Sequence, residues 1–103
     1  MAEQKKSVVF TTTALNDLID IQLFLEGISE SYADKTVDEI YERAFDLEKF
    51  SEMGQREPLL VKYSTIYRYL IQGDYKIIYS IKNDEIFVNR IFDTRQNPKK
   101  LKL

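Results

Sequence analysis

Two tight turns in the second half of the chain constrain the fold more than any other sequence feature. Runs rich in β-branched and aromatic residues cover positions 65–72, 75–81 and 86–92, with turn residues at Gly73-Asp74 and Asn83-Asp84 between them. A two-residue loop that begins with Gly suits a type I′ or II′ hairpin. Because connections this short join antiparallel neighbours, the sequence predicts three consecutive antiparallel strands.

The first half predicts a strand and two helices. Residues 7–12 are β-branched or aromatic and indicate a strand, after which Thr13 is a candidate helix N-cap. Helix two should end near Met53, with Gly54 in the left-handed C′ position. Apolar residues recur at the three- and four-residue spacing of a helical face: Ala14, Leu18, Ile21, Leu25 and Ile28, widened by Leu15 and Phe24, and then Ala33, Val37, Ile40, Ala44 and Leu47, flanked by Tyr41 and Phe50.

The order of elements is therefore β-α-α-β-β-β, an α+β fold in a single domain spanning residues 1–103. Only a few residues connect the two helices, so they should form an antiparallel hairpin. The apolar faces of both helices are expected to pack on the same small antiparallel sheet.

Composition excludes several classes of function. The chain has no cysteine, so disulfides, thiolate nucleophiles and cysteine-ligated metals are ruled out. No glycine-rich phosphate loop or metal-ligand cluster is visible, and we expect neither a cofactor nor a metal. The polar segment Met1 to Lys6 and the short apolar run after it resemble neither a signal peptide nor a membrane span. A cytoplasmic location, away from membranes, is expected.

Charge is distributed unevenly along the chain. The formal net charge is -2, but nine of the 15 basic residues and only four of the 17 acidic residues follow Pro58. An acidic first half and a basic second half suggest two surfaces with different partners. The carboxylates of the helices, such as Asp17 and Glu42, are interpreted as a solvated face.

Four cations interrupt or follow the apolar strands. Arg68, Lys76 and Arg90 lie inside strand-like runs, and Arg95 follows the last one. Strand side chains alternate between faces, so each charge needs solvent, a groove rim or a partner. All four could converge at one end of the sheet, as candidates for activity or target binding. The alternative is a set of snorkelling or salt-bridged residues on a half-solvated sheet.

The segments RYLIQGDYKIIYSI from Arg68 and EIFVNRIFDTRQNP from Glu85 resemble the C-terminal half of RelE/ParE toxins. The shared pattern is an Arg before the hairpin, a Gly-x-Tyr-Arg/Lys-Ile-x-Tyr strand, and a last strand ending in His or Asp, followed by x-Arg. The start of helix one at Ala14 and the close of helix two at Gly54 are similar too. The resemblance covers nearly the whole chain, from Ser7 to about Leu101.

This resemblance implies the toxin of a bacterial type II toxin–antitoxin pair, held inactive by a cognate antitoxin in a possible hetero-oligomer. RelE-like members cut mRNA on the ribosome, and ParE-like members are associated with inhibition of DNA gyrase. Lys76 and Arg95 fall where the ribonuclease branch places phosphate-stabilising cations. However, the chain has no histidine, Asp93 stands where many relatives carry His, and Leu101 or a neighbour takes the place of the catalytic tyrosine. These departures favour the ParE-like branch.

Three hypotheses stay open at this point: a ParE-like gyrase inhibitor, a RelE-like ribosome-dependent mRNA endonuclease, and an inactive toxin fold retained as a regulator. Whether the chain is an enzyme stays open with them, and no catalytic residue is assigned. Tyrosines crowd the strands, and one could stack a base, although most should be structural. An antitoxin segment is expected along the helical hairpin and the sheet groove, and the basic second half suggests that this segment is acidic and amphipathic.

Overall fold

The computed structural model describes residues 6–103; the polar N-terminal residues before Lys6 lie outside this range. The strands are β1 (Ser7–Phe10), β2 (Gln55–Arg56), β3 (Tyr67–Gln72), β4 (Tyr75–Lys82) and β5 (Glu85–Asp93), and the helices are α1 (Thr12–Glu26) and α2 (Glu30–Phe45). Short 3-10 turns cover Asp46–Glu48, Pro58–Leu60 and Pro98–Lys100. Within the described range, neither helix combines the length and the apolar character that crossing a membrane requires.

The five strands form one mixed sheet in the order β1-β5-β4-β3-β2. The expected antiparallel β3-β4-β5 meander is confirmed, and the order β-α-α-β-β-β and the α+β class are confirmed with it. What the sequence did not predict is that β1 adds to the sheet in parallel, with Ser7 opposite Glu85 and Phe10 opposite Val88.

Both hairpin turns follow from residues that tolerate a positive φ. Gly73 has φ +59° and Asn83 has φ 58°, whereas the second residue of each turn has a negative φ. This sign pattern is that of a type II′ turn and not of a type I′ turn. Gly and Asn adopt this region at lower cost than other residues, so the local sequence fixes both strand reversals.

Three details of the helix boundaries differ from the sequence prediction. The N-cap is Thr11 and not Thr13, because the Thr11 hydroxyl accepts a hydrogen bond from the Ala14 amide at 3.1 Å. The strand β1 therefore ends at Phe10. Helix α2 ends at Phe45, well before Met53. Gly54 does not have a positive φ.

The role of Gly54 is close packing against the sheet. A Cβ atom at this position would lie 2.6 Å from the Tyr79 hydroxyl and 2.7 Å from the carbonyl oxygen of Tyr69. The Gly54 amide donates to the Tyr79 hydroxyl at 3.0 Å, and that hydroxyl donates to the carbonyl of Ser51 at 2.8 Å. Burial raises the pKa of the Tyr79 phenol.

The main core lies between the helices and one face of the sheet. Of the predicted apolar positions it contains Ala14, Leu18, Ile21, Val37, Ile40, Ala44 and Leu47, together with Ile77, Tyr79 and Val88 of the sheet. A smaller core of Leu60, Ile78, Phe92 and Leu101 covers the opposite face. The predicted helix-one stripe was too wide, because Leu15, Phe24 and Ile28 are exposed. Ile28 lies beyond the end of α1, in the turn that leads to α2.

An extra residue in β5 keeps both cores apolar. The register shifts between Ile78, which pairs with Arg90, and Tyr79, which pairs with Val88, so that Asn89 is left unpaired. This β-bulge allows Val88 and Ile91 to face the helices while Arg90 faces the other way. Asn89 fixes the bulge by donating to the Ser80 hydroxyl and to the Phe87 carbonyl, both at 3.0 Å.

Candidate functional site

Arg68 lies on β3, opposite Tyr79, on the face of the sheet that the helices cover. Its guanidinium donates to the carbonyl of Gly54 at 2.9 Å and to the carbonyl of Glu52 at 3.4 Å. The Glu52 carboxylate is 3.9 Å away and largely exposed. Arg68 therefore ties the segment before β2 to the sheet edge, while part of its side chain reaches solvent.

Lys76 lies on β4 and faces away from the helices, toward the smaller core. Its ammonium is 2.8 Å from Oε2 of Glu57 and 4.5 Å from the centre of the Tyr69 ring. The Glu57 side chain is fully buried, and its other oxygen accepts a hydrogen bond from the Leu59 amide at 3.1 Å. The positive charge of Lys76 is thus neutralised inside the protein by a partner that the sequence prediction did not include.

Arg90 is held by Asp17 of α1. Its guanidinium forms two hydrogen bonds with the Asp17 carboxylate, at 2.8 and 3.1 Å, and a third with the carbonyl of Lys102. The Asp17 carboxylate also accepts from the backbone amide of Ile91 at 2.9 Å. Since β1 pairs with β5 only as far as Val88, Asp17 occupies the free edge of β5 and satisfies a backbone donor there.

Arg95 lies just after β5, near the β3–β4 turn, and is the most exposed of the four cations, with 57% of its side chain accessible. It makes a two-pronged hydrogen bond to Asp93, at 3.0 and 2.9 Å, and lies 3.6 Å from Asp74. The Arg95 guanidinium lowers the pKa of the Asp93 carboxyl, and the same pair raises the pKa of Arg95. Arg95 is the best placed of the four to meet a large partner.

The expected convergence of the four cations at one end of the sheet is wrong. Arg68 shares the helix-covered face with Tyr79, whereas Lys76 and Arg90 lie on the opposite face and Arg95 lies beyond the sheet. Each cation has a carboxylate within 4.0 Å, as the salt-bridge alternative expected. Their role in activity or target binding stays a prediction.

A groove of about 400 Å³ lies between α1 and the free edge of β5. Asp17, Arg90 and Asp93 line it, together with the buried Tyr75 and the exposed Phe24. Burial, and then the charge of Asp93, raise the pKa of the Tyr75 phenol.

No group of His, Cys, Asp or Glu side chains in residues 6–103 is arranged to hold a metal ion. The sequence prediction missed Asp17 and Glu57, the two carboxylates that fix Arg90 and Lys76. The sequence did indicate that each cation would have a partner, because a charged residue inside an otherwise apolar strand is rarely buried alone. Sequence spacing could not identify which carboxylate it would be.

A family model described as the ParE toxin of the type II toxin–antitoxin system parDE matches residues 8–98, most of the chain. This chain belongs to the ParE toxin family. No curated protein sequence matches this ParE family member.

One solved structure with a similar fold is described as the chromosomal ParDE toxin–antitoxin system from P. aeruginosa. Its TM-score against this chain is 0.74, and the two sequences are 23% identical. The match covers 90% of this chain and 100% of that chain. At this identity the likeness supports the fold alone. The assignment to ParE-like toxins, within the RelE/ParE superfamily, follows from the family match.

Proposed function

We propose that this chain inhibits bacterial growth as a ParE-like toxin that binds DNA gyrase, acts in the cytoplasm, and is neutralised by a cognate antitoxin. The observation that argues most strongly against ribonuclease activity is the ion pair formed by Lys76. A cation that stabilises a scissile phosphate must be free to meet it, whereas Lys76 is bound to the fully buried Glu57 carboxylate at 2.8 Å.

The C-terminal residues support the same choice. Leu101, at the position compared with the ribonucleases' catalytic tyrosine, is buried among Leu60, Ile78 and Phe92 and supplies no hydroxyl. Arg95 is the other cation that falls where the ribonuclease branch places a phosphate-stabilising residue, and it contacts two carboxylates. A protein-directed inhibitor needs no reacting groups, so the buried Leu101 and the paired cations are compatible with that function.

Two assays run side by side test the proposal. Purified toxin should reduce supercoiling by gyrase, and equimolar antitoxin should restore it, whereas mRNA in a translating extract should stay intact. Cleaved mRNA with unaffected supercoiling would replace the proposal with a ribosome-dependent endonuclease. If cells grow normally with confirmed folded toxin and no antitoxin, the inactive regulator becomes the better description.

The roles of Arg68 and Arg95 are tested by alanine variants in the same growth assay. Both side chains reach solvent, so Arg68→Ala and Arg95→Ala should remain folded and lose toxicity, and the double variant should lose it completely. The measurements are growth inhibition, melting temperature and antitoxin affinity. Full toxicity of the double variant would reject these residues as the target-binding site, and a collapse in melting temperature would show that they hold the fold.

A further inference from the structure

The residues after β5 form a basic segment that is fixed to the fold. Three of its residues are exposed lysines: Lys99, Lys100 and Lys102. Leu101, which lies between them, is buried in the smaller core. The Arg90 guanidinium donates to the carbonyl of Lys102, and the Asn97 side chain accepts from the amide of Lys99 at 3.0 Å. The backbone that carries the three lysines is therefore held in place on both sides of Leu101.

A fourth lysine joins this surface through the smaller core. Leu60 packs with Leu101 in that core, and Tyr63 packs against it. Lys62 lies between Leu60 and Tyr63 in the sequence and is exposed, with its ammonium 5.4 Å from the centre of the Tyr63 ring. The segment that carries Lys62 therefore adjoins the C-terminal segment. We name Lys62, Lys99, Lys100 and Lys102 the lysine patch.

The positive charge of the lysine patch is not neutralised by the fold. Within residues 6–103, none of its four ammonium groups has a carboxylate within 4.0 Å. Three carboxylates at its borders are bound to other cations: Asp17 to Arg90, Glu57 to Lys76 and Asp93 to Arg95. Asp20, which lines the same groove as Lys100, has no such partner in the described part of the chain. The patch consequently keeps a surplus of positive charge and suits an anionic partner.

The side chains around the lysines restrict the class of that partner. An acidic amphipathic segment needs apolar contacts beside the charges, whereas Leu101, the apolar residue among the lysines, faces inward. A single-stranded nucleic acid needs exposed aromatic faces on which its bases stack. Tyr63 and Tyr67 are partly buried and contact each other edge to face, with ring centres 6.0 Å apart. The phosphate backbone of a duplex needs neither feature, because exposed cations are sufficient to bind it.

We propose that the lysine patch is a docking surface for the phosphate backbone of duplex DNA. Such contacts position a protein on the duplex without reading its sequence. Because the lysines are carried by a fixed segment, binding loses less conformational entropy than it would on a flexible tail. The helical hairpin, with eight acidic and only two basic residues from Thr12 to Phe45, is repelled by the same duplex and should face away from it.

The test is a titration of a fluorescent duplex of about 20 base pairs with the full chain, followed by anisotropy at about 50 to 200 mM salt. Gyrase and antitoxin are absent, so the result is independent of the proposed function. The logarithm of the affinity should fall linearly with the logarithm of the salt concentration, with a slope of about 3 to 4 for four phosphate contacts. If binding does not saturate even at about 50 mM salt, the proposal is overturned.

Matched variants locate the contact. The triple variant Lys99→Gln/Lys100→Gln/Lys102→Gln should lower the affinity more than about tenfold and reduce the salt slope by about 2 to 3. The control variant removes the same charge from exposed positions outside the patch, and its affinity should change less than about threefold: Lys35→Gln/Lys49→Gln/Lys82→Gln. Equal losses in the two variants would show that net charge alone matters and would overturn the proposal. Melting temperatures confirm that both variants are folded.

Competing anions test the choice of partner. A glutamate-rich helical peptide and vesicles that contain phosphatidylserine should bind more weakly than the duplex at equal salt, and a single strand of the same sequence should bind no better than the duplex. If the peptide or the vesicles bound more tightly, an acidic protein segment or a membrane surface would replace DNA as the partner. Tighter binding of the single strand would likewise reject the duplex.

Discussion

Different structural elements cover the two faces of the sheet. On the first, two long helices bury an apolar core that includes Ile40, Ile77 and Tyr79. On the second, the 3-10 turn at Pro58–Leu60, Tyr63 and the C-terminal residues around Leu101 lie over the strands, and the Lys76–Glu57 ion pair lies beside a small apolar cluster. The comparison suggests that the helix face determines most of the stability and that the opposite face depends on a few specific contacts.

Neighbouring isoleucines on β4 provide the largest and most direct test of this difference. Ile77 and Ile78 are both completely buried, but they face the helix core and the smaller core respectively. Ile77→Ala should lower the free energy of unfolding by about 4 kcal/mol and Ile78→Ala by about 2 kcal/mol, since a turn and a chain end can move to fill a cavity more easily than two packed helices. Denaturant unfolding measures both values. Equal losses would mean that the two faces are equally rigid.

The buried ion pair is the next test. Glu57→Ala should cost about 3 kcal/mol, because it leaves the Lys76 ammonium without its partner in a mostly buried position. The double variant Glu57→Gln/Lys76→Met should recover most of this loss, since it removes the uncompensated charge. Glu52→Ala, which affects only the exposed contact with Arg68, is the control and should cost less than about 1 kcal/mol. A small effect of Glu57→Ala would show that the second face does not depend on this pair.

The contact between α1 and the edge of β5 should have a smaller effect. Asp17→Asn weakens the bonds to the Arg90 guanidinium and to the Ile91 amide, with an expected cost of about 1–2 kcal/mol. Hydrogen exchange at Ile91 should become faster in this variant. Asp20→Asn, one turn further along α1 and exposed, should leave both the stability and the exchange rate unchanged. Unchanged exchange in Asp17→Asn would show that this carboxylate does not protect the edge.

The smallest change in stability is expected outside both cores, at Arg95. Because Arg95 lowers the pKa of Asp93 below 3.8 in the folded state, the pair stabilises the fold above that pH, and this contribution is lost as the pH falls through the folded-state pKa. Arg95→Ala should therefore lower the melting temperature slightly at pH 7, and the difference from the parent should disappear as the pH falls below about 4, so that the variant has a flatter acid dependence. Melting curves between pH 2 and 7 measure this. If the melting temperature of the variant depended on acid pH as that of the parent does, another group would be responsible for the lowered pKa of Asp93.

Much of the fold could be predicted from the sequence, because its signals are local. Gly73 and Asn83 determine the two strand reversals, and the spacing of Ala14, Leu18 and Leu25 identifies the buried side of α1. The parallel pairing of β1 with β5 could not be predicted in this way, since it joins segments at opposite ends of the chain. The end of α2 was misplaced because Gly54 suggested a helix terminus, whereas its small size serves contact with Tyr79.

The candidate site could be predicted only in part. Sequence alternation indicated that Arg68, Lys76 and Arg90 needed partners, but it could not assign them to faces, because the bulge at Asn89 changes the alternation along β5. Asp17 and Glu57 lie 73 and 19 residues from the cations they bind. Such pairings depend on tertiary structure, and no local pattern encodes them.

The pairing of the first strand with the last has a consequence for the order of events during synthesis. The Thr11 hydroxyl contacts the backbone of Asn89, 78 residues further along the chain, and the Asp17–Arg90 contact has a similar span. Contacts this distant in sequence form slowly and need nearly the whole chain. The emerging helical hairpin therefore leaves the ribosome before the strands that cover its inner side exist. During that interval Ala14, Leu18 and the other core residues of α1 are exposed, so the hairpin is open to association with other chains until β5 has been synthesised.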